Sequence, residues 1–290
     1  MGLITMEGAC DLHIHTSPDI FERIADDVRT AEACRDAGMK AIVFKCHADT
    51  TMTRAWHTER QVPGIRVFGG IVLNLNVGGI NPAAVDVALK LGAVEVWMPS
   101  YHSLAHYKAT GKMGGYGHQG SDVTTNYPVK PITILDEKGE LIPEIWPILE
   151  LVKQHDAILG TSHLGSEEGL KLIRAAREVG CRKVVLTHPF FAPPSCTVRQ
   201  IKEAVELGAF CEFCSGNALS PIPAPIPAGA LQGSGGRLRQ RTLHYFQRHG
   251  PSQKDHGSGD QPHVRPEPDL QGREAGGRGA DAQGQLPQTA

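Results

Sequence analysis

The chain has 290 residues, 29 Lys and Arg against 31 Asp and Glu, a net charge of −2 and 40% hydrophobic content. That length suits one large domain or two small ones. The near-neutral balance excludes charge-driven binding to nucleic acid or a membrane surface, and no apolar run reaches the roughly 18 residues of a membrane span. Seven scattered cysteines, an odd number, fit a reducing cytoplasm better than a disulfide scaffold, and no basic-then-apolar leader is read at the N-terminus.

The first informative stretch is Asp11-Leu12-His13-Ile14-His15. Histidines one residue apart do not share a helix face, but on a strand they point the same way, with Leu12 and Ile14 on the other side. A His-x-His pair at a strand end offers two converging imidazoles, as a divalent metal site requires; the bland reading is two inward polar residues satisfied by hydrogen bonds.

Up to about residue 227, short apolar strands alternate with helical segments. Strands are predicted at 9–15, 40–47, 65–73, 93–99, 157–163, 182–188 and 209–214. Gly38, Gly92, Gly180 and Gly208 each follow a helical segment, the usual C-terminal stop. Asn81-Pro82 and Ser166-Glu167-Glu168 read as helix starts. This gives seven β/α units. A (β/α)8 TIM-barrel needs eight in about 250 residues, so the expected fold is α/β and TIM-barrel-like, its eighth unit missing or replaced; a doubly wound sheet is the runner-up. His13, His15, Lys45, His47, His163, His188 and Glu212 all fall at or near C-terminal strand ends, which converge on one site in a barrel.

Residues 103–143 interrupt the rhythm with Gly114-Gly115-Tyr116-Gly117-His118 and a hairpin pattern around Asp136–Gly139. An insertion after the fourth strand would overhang the barrel mouth as a lid or a surface flap. Residues 1–227 therefore read as an incomplete barrel and 228–290 as a separate tail, rich in Gly, Gln, Arg, His and Pro and without apolar periodicity. Reverse-translating 228–251 with synonymous codons and reading one base later recovers LEHFKAAVDAYGNERCIIFSDTGQ, an amphipathic helix, a glycine stop and an apolar strand. A frameshift near Ala228 is one reading of the tail and a natural disordered segment is the other.

Asp11-Leu12-His13-Ile14-His15, Gly160-Thr161-Ser162-His163-Leu164 and Leu186-Thr187-His188-Pro189 resemble the metal-dependent hydrolases of the amidohydrolase superfamily. Phe44-Lys45-Cys46-His47, Gly69 to Asn74, Gly78 to Pro82 and Val96 to Pro99 make the chain look like an uncharacterised group within it. The first motif more distantly resembles PHP-type phosphoesterases. The resemblance covers roughly residues 6–227. It implies that His13, His15, His163 and His188 bind metal, and that an aspartate ending strand eight serves as ligand and general base. The chain as written has no such aspartate; the recovered frame carries one. Strand four offers only Glu95 where many relatives have a bridging lysine or glutamate, so one or two ions are expected.

Apart from the family, three or four imidazoles suit Zn²⁺ first, with Mn²⁺, Fe²⁺ or Ni²⁺ as alternatives. Such an ion brings the pKa of bound water to about 7 and polarises a carbonyl or phosphoryl oxygen. Lys45 and His47 share a strand face and are expected to bind a substrate carboxylate or phosphate, unless the lysine is a modified ligand or simply reaches the rim. Arg23 reads as a substrate-anion group or an exposed ion pair, and Glu212 as a second-shell carboxylate or a polar residue between Cys211 and Cys214. That CxxC lies on a strand, against redox or zinc-knuckle use; His102, His106 and His118 are expected at the surface.

The expected function is a cytoplasmic metal-dependent hydrolase that turns a metal-activated water on an amide, lactone or ester, or phosphoester. The alternatives are a metal-binding but inactive truncated product and a PHP-type phosphoesterase. The expected partner is a small-molecule substrate, with neither nucleic acid nor membrane; a homo-oligomer is compatible with the sequence.

Overall fold

The computed structural model describes residues 5–114, 127, 129–214 and, as backbone, 242–245. Eight parallel strands follow one another in chain order: β1 (Cys10–Ile14), β2 (Ala41–Phe44), β3 (Arg66–Val72), β4 (Ala93–Trp97), β5 (Ile158–Gly160), β6 (Lys183–Thr187), β7 (Phe210–Cys214) and β8 (Thr242–Tyr245). Sequential order with every neighbour parallel rules out the doubly wound alternative, whose strand order reverses at a switch point. The sheet is the TIM-barrel-like one expected from the strand rhythm. Helices α1 (Asp27–Asp36), α2 (Met52–Gln61), α3 (Pro82–Lys90), α4 (Leu104–Thr110), α5 (Ile145–Gln154), α6 (Ser166–Val179) and α7 (Val198–Glu206) fill the connections. None of them is long and apolar enough to cross a membrane.

The eighth position is filled from the tail: β8 pairs with β7 in register Cys211↔Thr242 to Cys214↔Tyr245. Of the two sequence alternatives, missing or replaced, the strand is replaced. No helix follows β8 among the described residues.

Apolar side chains on the outer face of the sheet pack under the helices. Ile71, Leu73, Val96 and Met98 join α3, α5, α6 and α7 in one cluster, and Ile42 and Phe44 join α1 and α2 in another. The opposite face holds a small cluster of Val43, Val72 and Trp97, with Leu12 packed against it. Strict alternation put Leu12 with Ile14; instead the pairing of β1 with β2 shifts between Asp11 and Ile14, and His13 N donates to Asp11 Oδ1 at 2.9 Å. This irregularity turns Leu12 inward while Ile14 stays on the outer face. Trp97 lies against glycines of both flanking strands: a Cβ on Gly70 would sit 2.5 Å from Trp97 Cζ3, and one on Gly160 2.5 Å from Trp97 Cδ1.

Helix starts follow the sequence with one correction. Asn81 Oδ1 accepts from Ala83 N and Ala84 N, capping α3 ahead of Pro82. At α6 the N-cap is Gly165, and Ser166 is already helical. Glu168 turns inward, and its Oε1 accepts from Thr133 Oγ1 and Ile134 N, both at 2.7 Å. This carboxylate ties the 131–143 segment to the barrel. The segment also bridges Ser103 to Ile132, and its Asp136–Gly139 turn joins Leu135 to Leu141 in an antiparallel bridge, the expected hairpin. Residues 115–126 and 128 of the insertion, with the Gly115-to-His118 run, lie outside the described residues.

Candidate metal centre

The strand ends bring six imidazoles together. His15 follows β1 and His47 follows β2; His163 follows β5 and His188 follows β6. Ring centroids are 5.2 Å apart for His13 and His15, 4.5 Å for His15 and His47, 6.2 Å for His47 and His163, 4.9 Å for His163 and His188, and 6.0 Å for His188 and His13. The five form a closed circuit. All are buried or nearly so. Burial is the main force holding His15, His47 and His163 well below the usual imidazole range, and it brings His188 down to about 3. Neutral imidazoles keep the lone pair that coordination needs.

His106 is the sixth. Expected at the surface, it is fully buried, as is His102. Ser103 caps α4, with its Oγ accepting from His106 N at 3.0 Å and donating to the His163 carbonyl at 2.6 Å, which draws the loop after β4 inward. The His106 and His163 rings stack 5.2 Å apart with Nδ1 atoms at 3.1 Å. One of those nitrogens carries the proton and the other accepts it. His102 is enclosed because its Nδ1 accepts from Leu75 N at 3.1 Å. His102 lies in a loop and His106 on the short α4, neither of which carries an apolar period that marks it as buried; His118 lies outside the described residues.

Below the imidazoles is a charged layer. His13 Nδ1 lies 3.1 Å from Glu212 Oε1 on β7, and His13 Nε2 lies 3.1 Å from Lys45 Nζ. Lys45 also stands over the Trp97 ring at 5.1 Å. Burial pushes Lys45 down to about 8, against the carboxylates Glu212 and Glu95. Burial acts to raise Glu212, but His13 and Lys45 outweigh it and hold the carboxyl below its usual value. Burial and the nearby Glu212 charge drive Glu95 well above its own. Glu212 and Lys45 thus share the layer with a Glu95 carboxyl that burial and Glu212 push toward its neutral form.

Arg23 is not the exposed ion pair of the sequence alternatives: its guanidinium pairs with Asp19 at 2.7 Å with both side chains buried, and, beside burial, its charge helps to lower His15 and His47. Cys214 is a residue that sequence reasoning set aside. Its Sγ, a His13 ring nitrogen and a Glu212 oxygen all lie within 4.8 Å of one another, a group able to hold a metal ion. The argument against the CxxC as a pair stands: Cys211 belongs to the outer cluster under the helices.

The donor set fits a divalent cation. Among the described residues, His15 Nδ1, His188 Nδ1 and Glu212 Oε2 are buried with no hydrogen-bond partner, a costly state that a cation relieves. Imidazole, carboxylate and thiol together suit a borderline-soft ion.

The model of a family described as "Family of unknown function (DUF6282)" matches residues 8–212. A search of curated proteins gives no match. Among solved structures the chain is similar to an organophosphorus hydrolase from Deinococcus radiodurans, at 11% identity, TM-score 0.49, covering 82% of this chain and 74% of that one. It is also similar to a phosphotriesterase homology protein from Escherichia coli, at 14% identity, TM-score 0.45, with coverage of 83% and 82%. A putative deoxyribose-phosphate aldolase from Coccidioides immitis follows at 12% identity, TM-score 0.42, with 72% of each chain covered.

Proposed function

The chain belongs to that family of unknown function, and we propose from its own site that it is a metal-dependent hydrolase acting on an amide, a lactone or other ester, or a phosphoester. The observation that carries this reading is the convergence of neutral, buried His15, His163 and His188 on His13 and Glu212. His13, His15, His163 and His188 would hold the ion, with Zn²⁺ favoured by the donor chemistry and Mn²⁺, Fe²⁺ or Ni²⁺ as alternatives. When bound, such an ion acidifies a water and polarises the carbonyl or phosphoryl oxygen of the substrate.

The protein's own groups set the rest. Glu212 accepts the His13 Nδ1 proton, which fixes that tautomer and leaves the Nε2 lone pair toward Lys45. The Nε2 lone pair serves either the ammonium or an ion, so were His13 to hold a metal, the Lys45 ammonium would be left to face a substrate carboxylate or phosphate. Glu212 Oε2, ionised and without a partner, is the group placed to take a proton. His106 orients the His163 ring through the Nδ1 contact. Phe191 and Tyr101 pack on His163 and His47 and limit water around them.

A second reading, metal binding without turnover, has its own support: the strand filling the eighth position, Thr242-Leu243-His244-Tyr245, brings no carboxylate. Metal analysis of the purified chain, followed by turnover on amide, lactone and phosphoester panels, separates the readings. Stoichiometric metal with hydrolysis supports the first, and stoichiometric metal with no hydrolysis the second. Protein that takes up no zinc or manganese when offered them defeats both.

A further inference from the structure

The proton positions around His47 follow from a chain of hydrogen bonds whose directions are fixed by backbone groups. Asn74 follows β3 and is fully buried. Its side-chain nitrogen donates to the His47 carbonyl at 2.9 Å. Its oxygen accepts from Ser100 N at 2.9 Å and His102 N at 3.3 Å. A carbonyl only accepts and a backbone N–H only donates, so the amide has one orientation. The second Asn74 N–H then donates to Ser100 Oγ at 2.7 Å.

Ser100 Oγ has one further contact, His47 Nδ1 at 2.8 Å. The hydroxyl already receives a proton from Asn74, and its own proton has that ring nitrogen as its acceptor. Nδ1 of His47 is therefore the accepting nitrogen. A neutral imidazole that accepts at Nδ1 carries its proton on Nε2.

We infer that the Asn74–Ser100 relay fixes His47 as an N–H donor within the imidazole circuit: a binding position for a substrate oxygen, closed to metal. The inference rests on the proposed metal site and divides its imidazoles by role. His15, with Nδ1 buried and unpartnered, offers a lone pair; His47, 4.5 Å away ring to ring, offers a proton. A donor beside the cation binds an oxygen that gains negative charge, the carbonyl or phosphoryl oxygen of an ester-like substrate, better than it binds an amine. Asn74 and Ser100 are positioning residues, acting through His47.

Two-bond proton–nitrogen NMR of histidine-labelled protein tests this directly, with the His47 signals identified by their loss in His47→Gln. In metal-free wild-type protein, His47 is expected to show an accepting, pyridine-type Nδ1 and a protonated, pyrrole-type Nε2. The same pattern is expected after one equivalent of zinc. Ser100→Ala removes the proton that holds Nδ1 and is expected to lose the single tautomer, whereas Ser100→Thr keeps the hydroxyl and the pattern. A protonated Nδ1 in the wild type overturns the inference, as does an Nε2 that loses its proton on adding zinc. The metal-free spectrum decides the tautomer even where zinc fails to bind, which defeats the proposed function alone.

Discussion

The site has two layers that solve opposite problems. His13, Glu95 and Glu212 lie within strands, with Lys45 one residue past its own, and they balance charge: both ring nitrogens of His13 have a partner, while Glu95 Oε2 and Glu212 Oε2 have none among the described residues. His15, His47, His163 and His188 lie beyond the strand ends and are neutral, and two of them present a buried nitrogen with no partner. The lower layer is balanced by its own charges. The upper one offers neutral donors to a bound group. Charge balance is thus a folding requirement below, while donor supply is a binding requirement above.

Removing Lys45 should have the largest effect, because Glu212 then loses its nearest full positive charge. Lys45→Met is expected to cost about 3–5 kcal/mol, read as a drop in urea midpoint; a change near zero would erase the distinction between the layers. His15→Ala is the contrasting change. It should weaken zinc binding at least about 100-fold in chelator competition, since outer partners of ligands alone are worth 10–100-fold. Its urea midpoint should hold, because the ring nitrogen removed had no partner to lose.

Acidity probes the upper layer next. Burial holds His188 at about 3 and His102 at about 4 in the folded chain. The unfolded chain takes up protons at the ordinary value near 6.5, so below that pH it binds more protons than the folded one. Stability of metal-free protein should therefore fall as pH drops from 6.5, by about 1.4 kcal/mol per imidazole one unit below. Urea midpoints at pH 7.5 and 5.5 measure this, and His188→Gln should flatten the slope. The smallest effect belongs outside both layers. Glu168→Gln keeps the acceptor for Thr133 and Ile134 but loses the charge, for about 1 kcal/mol in the same assay.

The strand order and the histidines at or near C-terminal strand ends were legible because alternation leaves a periodic mark. His13, His15, His163 and His188 stood out for that reason. What loops do with polar side chains was not. His106 and His102 are drawn inside by Ser103 and Leu75 N, and Asn74 and Ser100 form their relay across two loops. None of these contacts has a sequence spacing to find. Arg23 was legible as an ion-pair candidate, but its burial with Asp19 depends on how the loop after β1 folds back. The replaced eighth strand shows a different limit. Backbone pairing is nearly indifferent to side chains, so a segment with no apolar rhythm still extends the sheet.

Trp97 carries one more consequence. Its ring occupies the space that a side chain at Gly160 would need on the adjacent strand, whereas at Gly70 the Glu95 backbone oxygen is nearer still. Positions 97 and 160 can therefore drift only as a pair. Gly160→Ala alone should be costly and Trp97→Leu alone should leave a void, yet the pair should cost less than their sum, because each substitution supplies what the other lacks. In related chains, a smaller residue at position 97 should travel with a larger one at 160.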